Sequence, residues 1–184
     1  MNISERFAGR PPEKRSSQED RIYDALEDLK IPFSRVDHDH ADTMEDCLKI
    51  ETVLGAQICK NLLLTNRQET DFYLLLLPGQ KIFKTKFLSS QLNCARLSFA
   101  SPEHMASLLQ TIPGSASALE LLFDTEHRVR LIMDKDLQND PVISGHPGFS
   151  TSTLSMSLED MLRYVRSTGH EPTWVDLPTE TEIE

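Results

Sequence analysis

The sequence predicts an α+β domain built around a mixed β-sheet. Some segments repeat apolar residues at the three-to-four-residue spacing of an amphipathic helix. Others are continuous apolar runs of strand length, which suit strands covered on both faces. The two kinds of segment do not alternate strictly, as they would in a βαβ fold. The chain has 184 residues, of which 39% are hydrophobic, and we therefore expect one compact domain.

The first half of the chain is predicted to contain two helices. Ser16 and Glu19 form a capping-box pattern before a helical repeat that runs from about residue 17 to 30. Thr43 is a suitable cap for a second helix, which ends at Gly55. Strands are predicted over residues 31–38, 58–65 and 72–77, with a polar turn between the last two.

The second half is predicted to contain three shorter helices and more strands. A helix over residues 102–110 begins after Ser101, with Pro102 in its first turn. The other helices are predicted over residues 84–92 and 157–165, and the strands over 96–100, 128–134 and 150–157. Residues 111–119 are rich in small side chains and are predicted to form a loop. We expect residues 1–15 to form a flexible N-terminal arm, 16–177 the domain, and 178–184 an acidic tail.

The composition restricts the classes of partner and compartment. A formal net charge of −10 argues against broad, nonspecific adhesion to nucleic acid. It leaves room for a small basic footprint or for ordinary solvated cations at Arg10, Lys14, Arg15, Lys81, Lys84 and Lys86. No segment approaches the roughly 18 apolar residues of a membrane span or forms a signal peptide, so we expect a cytoplasmic protein without membrane association. The cysteines are predicted to be reduced core thiols: Cys47, Cys59 and Cys94.

Lys60 is the most unusual residue of the predicted strands. By the period-two geometry of a strand it shares a face with Ile58, Leu62 and Leu64. An unpaired ammonium on an apolar face is costly to desolvate. Lys60 therefore either extends its charge to water from a strand end or forms the floor of a pocket that receives an anionic ligand.

Three further segments carry candidate chemistry, each with a plainer alternative. One segment is either a metal site or a polar loop at the start of a helix; it contains His38, His40, Asp37, Asp39 and Asp42. We favour the loop, because the sequence shows no further cluster of metal ligands. We therefore expect no metal or cofactor. Gly114, Ser115 and Ser117 lie in a loop that either presents backbone N–H groups to a ligand or is a simple turn. His146 and Pro147 precede a Ser/Thr-rich strand and mark either a pocket wall or a tight turn. Sequence signatures of the nucleophile elbow, the phosphate-binding glycine loops and the HExxH helix are missing.

The order of five motifs resembles the YbaK and prolyl-tRNA synthetase editing-domain family, in particular its free-standing prolyl-tRNA editing branch. The motifs are TMEDC, CKNLLLTN, RLSFASPEHM, PGSAS and GHPGFSTSTLSMS. The resemblance implies a compact domain with a barrel-like mixed sheet and a trans-editing deacylase that removes a wrong amino acid from tRNA(Pro). It further implies that Lys60 is the essential lysine, that the PGSAS loop lines the pocket and that His146 belongs to the opposite wall. We expect the substrate to be bound by Asn61, Asp42, Gly114, Ser115, Ser117, His146, Pro147 and Ser150.

The sequence departs from the family pattern at three places. Ala41 and Asp42 stand where relatives commonly have an apolar pair, Ala118 replaces a proline, and Ser150 replaces an asparagine. Alanyl-tRNA(Pro) is the expected substrate, with cysteinyl-tRNA(Pro) or another small aminoacyl-tRNA as the enzymatic alternative. The alternative that is not an enzyme is a module of the same fold that binds aminoacyl-tRNA without hydrolysing it. The expected partners are the acceptor end of tRNA(Pro) and prolyl-tRNA synthetase.

Overall fold

The structure, a computed structural model, describes residues 1–41 and 43–183. Over these residues the helices are α1 (Ser17–Asp28), α2 (Met44–Leu54), α3 (Thr85–Gln91), α4 (Pro102–Leu109), α5 (Leu158–Ser167) and α6 (Glu180–Ile183). The strands are β1 (Phe7–Ala8), β2 (Ser34–Asp37), β3 (Cys59–Thr65), β4 (Phe72–Pro78), β5 (Ser98–Phe99), β6 (Val129–Asp134), β7 (Val142–Gly145), β8 (Ser152–Ser157) and β9 (Thr173–Val175). Short 3-10 helices cover Ala118–Phe123 and Lys135–Asn139.

The strands form two sheets. One has the order β1-β2-β8-β7 and is antiparallel throughout. The other has the order β5-β3-β4-β6-β9, in which β4, β6 and β9 run parallel and the remaining pairs antiparallel. The sheets meet where β3 passes β7, because the Ser144 hydroxyl accepts the Cys59 N–H at 3.2 Å and donates to the Gln57 carbonyl at 2.7 Å. The predicted α+β class and mixed sheet are confirmed.

The helix starts follow the predicted capping signals. Ser16 and Glu19 form the reciprocal capping box of α1. Thr43 caps α2, and Gly55 ends it in the left-handed conformation at φ +73°. Ser101 caps α4 with Pro102 in its first turn. These local signals were sufficient because each satisfies backbone groups that a helix end leaves without partners.

The main core lies between the central sheet and helices α1, α4 and α5. β4 is the best buried strand, with Phe72 to Leu77 at 5% exposure or less. Leu74 and Leu76 face the larger apolar cluster, while Leu75 and Leu77 face a second cluster under α3. Burial on both faces explains why the sequence of this strand is a continuous apolar run.

The sequence did not predict several of the short elements. β1, β7, β9, the 3-10 helices and α6 are each too short to show a period. The segment predicted as a flexible arm contributes β1, which pairs with β2, while its flexibility stays a prediction. The three cysteines are free and half-buried, and Cys59 and Cys94 pack against the two core clusters. None of the described helices combines the length and apolar character that crossing a membrane requires.

Candidate functional site

A cleft of about 250 Å³ opens where β3 begins, between α2 and the loops 111–117 and 145–151. Its volume lies below the roughly 300–1,000 Å³ of pockets for drug-sized ligands. Most of the lining is apolar and comes from Ala41, Cys47, Ile50, Ile58, Cys59, Leu62 and Ala116. The other lining residues are the polar Lys60, Asn61, His146 and Ser150, together with Gly114, whose backbone φ angle is positive. These five are also sequence-predicted site residues, so the fold brings them to one place.

The Lys60 ammonium keeps donors available to the cleft. Its Nζ donates one hydrogen bond, 2.7 Å long, to the backbone carbonyl of Lys81. Among the described residues no carboxylate lies within ion-pair distance of it. An ammonium has three N–H donors, so two remain for a ligand. Lys60 is thus a half-buried cation without a protein anion at the start of a strand.

The carbonyl that holds Lys60 is itself fixed by a buried ion pair. The Lys81 ammonium donates to Asp134 at 3.0 Å and to Asp136 at 2.7 Å. Burial acts to lower the pKa of Lys81, but the bonds to both carboxylates prevail and raise it. The sequence made Lys81 a candidate for a basic surface footprint. In the structure its charge is instead paired with two carboxylates. Its side chain anchors the loop that orients Lys60.

Two of the three N-terminal candidates for a basic footprint, Arg10 and Arg15, also form ion pairs. Arg10 pairs with Asp20, Asp24 and Glu27 across α1. Arg15 pairs with Glu13 and Asp37. Of the predicted footprint, only Lys14, Lys84 and Lys86 are cations without an ion-pair partner among the described residues.

Asn61 offers an acceptor that the protein leaves open. Its amide nitrogen donates to the Cys59 carbonyl at 3.1 Å. Its Oδ1 is buried and has no hydrogen-bond partner among the described residues. An orphaned acceptor in the lining of the cleft suits a ligand that brings its own donor, such as an amine, a hydroxyl or water.

The glycine loop presents free backbone donors, but not all the predicted ones. Gly114 has φ +84°, and a Cβ at this position would meet nothing within 4 Å. Ser115 N–H is engaged by the Ile112 carbonyl. No hydrogen bond within the described part of the chain engages the N–H of Gly114 or Ala116. These two groups, rather than that of Ser115, are available to an incoming oxygen.

His146 is held in one tautomer. Its Nδ1 lies 3.0 Å from the Ser152 carbonyl, which can only accept, so the proton is on Nδ1 and Nε2 is the acceptor. Burial lowers the pKa of His146 to about 4. The imidazole is therefore neutral at physiological pH, and its unprotonated Nε2 can accept a hydrogen bond.

Three other predicted residues lie behind the cleft surface. Ser115 and Ser117 are fully buried, and Pro147 is buried without lining the cleft. The Ser115 hydroxyl accepts the Ser150 N–H at 3.1 Å, and the Ser117 hydroxyl donates to the His146 carbonyl at 2.8 Å. The serines thus join the two loops that face each other across the cleft.

Glu120 completes this connection and was missed from the sequence. Its fully buried carboxylate accepts the Ser117 N–H with one oxygen and the Gly148 N–H, at 2.8 Å, with the other. Burial raises the pKa of Glu120 to about 8 despite these bonds. Ser117 and Glu120 form a capping box at the start of the 3-10 helix 118–123. The S-x-x-E spacing in the sequence could have identified Glu120 as part of this box.

The histidine loop borders the site without the geometry of a metal centre. His38 donates from Nδ1 to the Asp39 carbonyl and lies 2.8 Å from Thr153 through Nε2. His40 Nδ1 lies 2.7 Å from the Ser150 hydroxyl. Within residues 1–41 and 43–183 no group of three or more His, Cys, Asp or Glu side chains is placed to hold a metal. Asp42, a predicted site residue, lies outside the described residues, and metal independence stays a prediction.

Taken together, these groups suit a small acyl compound with a polar end. Lys60 and the N–H groups of Gly114 and Ala116 are donors for an oxygen that gains negative charge. His146 and Asn61 are acceptors for a water or hydroxyl. The remaining lining of the cleft is apolar.

Comparison with known proteins defines the class. A sequence model of the aminoacyl-tRNA editing domain matches residues 38–164, well over half of the chain. The chain therefore belongs to the aminoacyl-tRNA editing domain family, as its motifs indicated.

Individual relatives agree with this membership. The prolyl-tRNA editing protein ProX of Acetoanaerobium sticklandii is 28% identical over 145 residues, covering 79% of this chain and 88% of that protein. The prolyl-tRNA synthetase associated domain-containing protein 1 of Danio rerio is 26% identical over 149 residues, covering 80% of each. The crystal structure of a candidate trans-editing enzyme for prolyl-tRNA synthetase aligns with a TM-score of 0.65 at 17% identity, covering 90% of this chain and all of that one. This last likeness concerns the fold.

Proposed function

We propose that this protein is a trans-editing deacylase that hydrolyses mischarged tRNA(Pro), with alanyl-tRNA(Pro) as its preferred substrate. The observation that carries the proposal is the Lys60 ammonium, which has two unused donors in a small, mostly apolar cleft. Membership of the editing-domain family and the names of the prolyl-tRNA editing relatives support it.

The proposed reaction is hydrolysis of the ester that joins the amino acid to the terminal ribose. A water oxygen adds to the ester carbonyl carbon, and the carbonyl oxygen becomes an oxyanion bound by Lys60 and the Gly114 N–H. The C–O bond to the ribose then breaks, the water's proton passes to the ribose oxygen, and the free amino acid leaves. Since the ester is already activated, orientation and charge stabilisation supply the catalysis, and no covalent nucleophile is needed.

His146 and Asn61 are proposed to position the water and the amine. The unprotonated Nε2 of His146 accepts a hydrogen bond from the attacking water or from a ribose hydroxyl. The open Oδ1 of Asn61 accepts one from the substrate's α-ammonium. Ser150 and its partner His40 complete the wall on the far side of the cleft.

The small cleft provides a second sieve. A synthetase pocket for proline distinguishes a smaller side chain by only about 1–3 kcal/mol per missing methylene. A hydrolytic cleft that accepts alanine and excludes proline would correct the resulting errors. Alanine and cysteine differ by one sulfur atom, so cysteinyl-tRNA(Pro) is the substrate against which alanine preference has to be measured.

Asp42 is proposed to favour a substrate with a charged α-ammonium. It follows Ala41, which lines the cleft, and an anion within about 4–6 Å of the ammonium stabilises its charged form. Hydrolysis of alanyl-tRNA(Pro) and N-acetyl-alanyl-tRNA(Pro) by the wild type and by Asp42→Asn tests this role. Asp42 has no such role if the two proteins show the same preference between these substrates.

The test of the function is deacylation of tRNA(Pro) charged with alanine, cysteine or proline. We expect rapid release of alanine, slower release of cysteine and no release of proline. Faster cysteine release would reassign the substrate. Binding of all three without release by a folded protein would identify a non-catalytic module. Adding prolyl-tRNA synthetase to the same assay shows whether that enzyme is a partner.

A further inference from the structure

Ser150 and His40 form a hydrogen-bonded pair at the edge of the cleft. Ser150 lines the cleft and is 8% exposed, whereas His40 is exposed to solvent. The Ser150 Oγ atom lies 2.7 Å from His40 Nδ1, and this contact joins the loop after β7 to the loop before α2. Within the described residues, the Ser150 hydroxyl and the His40 ring form no other hydrogen bond. The pair therefore connects the lining of the cleft with solvent.

The backbone of Ser150 is fixed against the glycine loop. Its N–H donates to the Ser115 hydroxyl at 3.1 Å. Ser115 lies between Gly114 and Ala116, whose N–H groups are engaged by no other described residue. The Ser150 hydroxyl therefore shares the cleft with the backbone donors proposed to bind the oxyanion.

The other polar side chains of the cleft are poorly suited to accept a proton from the attacking water. An efficient proton acceptor has a pKa near the working pH. Burial lowers the pKa of His146 to about 4. Burial also raises the pKa values of the Cys47 and Cys59 thiols, so both keep their protons. The Lys60 ammonium can only donate. The imidazole that contacts the cleft through Ser150 is therefore the better placed acceptor.

The groups around His40 permit it to take up a proton. His40 interacts electrostatically with His38 and His146, and burial lowers the pKa of each, so both are neutral near pH 7. Asp39, the preceding residue, supplies a carboxylate that accepts the Asn2 N–H at 2.7 Å. The cation of the cleft lining is Lys60. A proton on His40 thus meets two neutral imidazoles rather than two further cations.

We propose that Ser150 and His40 form a proton relay for ester hydrolysis, with His40 as the proton acceptor, an inference that rests on the proposed function. As the water oxygen bonds to the ester carbon, a water proton passes to Ser150 Oγ and the Ser150 hydroxyl proton passes to His40 Nδ1. As the C–O bond to the ribose breaks, both transfers reverse and the ribose oxygen receives the proton. The relay uses the His40 tautomer that carries its proton on Nε2.

The test uses three variants that separate proton transfer from structure. His40→Asn keeps an amide oxygen that can accept the Ser150 O–H bond but cannot take up a proton. His40→Ala leaves an exposed gap that imidazole from solution can occupy. Ser150→Ala removes the hydroxyl between His40 and the cleft. His104→Asn is the matched control, because His104 Nδ1 lies 3.0 Å from the Ser101 hydroxyl at the start of α4 and neither residue lines the cleft.

The assay is single-turnover hydrolysis of the charged tRNA that the wild type cleaves fastest, corrected for the uncatalysed rate, with circular dichroism melts as a control for folding. A positioned proton acceptor contributes about 10²–10⁴-fold, so the three variants should lose at least about 100-fold in rate near neutral pH. The control should match the wild type. Added imidazole should restore His40→Ala in proportion to its concentration and leave Ser150→Ala unchanged.

The pH profile provides a second readout. A histidine changes its charge between about pH 5 and 8, and a protonated His40 cannot accept another proton. The wild-type rate should therefore fall toward the acid end of this range by an amount that is missing in His40→Asn. The buried carboxyl of Glu120, whose pKa burial raises to about 8, is present in both proteins, so the difference between their profiles reports His40.

The relay and the proposed function fail through different results. A folded His40→Asn protein with the wild-type rate and pH profile would refute the relay and leave the function intact. A His40→Ala protein that imidazole does not restore would do the same. Wild-type protein that hydrolyses none of the charged tRNAs would refute the function and the relay with it.

Discussion

Replacing Glu120 by glutamine should loosen the connection between the two loops that form the cleft. The carboxylate accepts the N–H of Ser117 from one loop and of Gly148 from the other. Glutamine has the same shape but one acceptor: its NH₂ group replaces an oxygen that can accept a hydrogen bond in both the carboxylate and the neutral acid, and this NH₂ group faces a donor. One buried N–H is therefore left without a partner.

The magnitude follows from that single lost bond. A buried donor without an acceptor costs about 1–3 kcal/mol. Taking about 2 kcal/mol, a domain of this size loses roughly 4–8 °C in Tm. At 25 °C the variant stays folded, so any fall in kcat/KM for alanyl-tRNA(Pro) then reports a displaced loop rather than unfolding.

The stability difference should also depend on pH. Burial raises the pKa of Glu120 from 4.5 to about 8, so the folded state favours the neutral acid. Its contribution is complete below pH 4.5 and is lost as the pH rises through 8. The stability gap between wild type and Glu120→Gln should therefore be widest near pH 4.5 and narrow toward pH 8.

The assay is urea unfolding at several pH values, together with deacylation kinetics. Glu126→Gln, which alters an exposed carboxylate, is the matched control and should leave both unchanged. If Glu120→Gln matches the wild type in stability at pH 5 and in kcat/KM, Glu120 does not hold the loops.

Three further predictions concern His146, Lys81 and metal dependence. Burial lowers the pKa of His146 to about 4, so this side chain should stay neutral between pH 5.5 and 8. Its contribution to stability should be complete above pH 6.5 and lost as the pH falls through 4. Ring ¹⁵N NMR measures the titration, and a midpoint near pH 6.5 would contradict the prediction. Lys81→Met should destabilise by about 3–5 kcal/mol because it leaves buried Asp134 unpaired; urea unfolding measures the loss, and Asp134→Asn in the same chain should recover part of it. Deacylation should survive exhaustive chelation, and a loss restored by added zinc would show that a metal takes part.

The sequence was sufficient where the signal is local. Ser16, Thr43 and Ser101 mark helix starts through the backbone groups they cap, and the apolar run of β4 reports burial on both faces. The conspicuous position of Lys60 on an apolar strand face likewise located the cleft.

The sequence was insufficient where long-range pairing decides the outcome. Lys81 resembled a surface cation until the fold placed Asp134 and Asp136, more than 50 residues away in the chain, around its ammonium. Ser115 and Ser117 were expected to line the cleft, but the fold turns their hydroxyls toward the opposite loop. No local pattern encodes either arrangement.

The most direct test of the central claim is single-turnover hydrolysis of alanyl-tRNA(Pro) by Lys60→Met, with Lys135→Met as the matched control. Methionine keeps an unbranched stem and removes the charge, so the fold should be retained. Loss of an oxyanion donor lowers the rate by about 10²–10³, and we expect at least that for Lys60→Met with a Tm near that of the wild type. A folded Lys60→Met protein that releases alanine at the wild-type rate would contradict the assignment of Lys60 to the reaction.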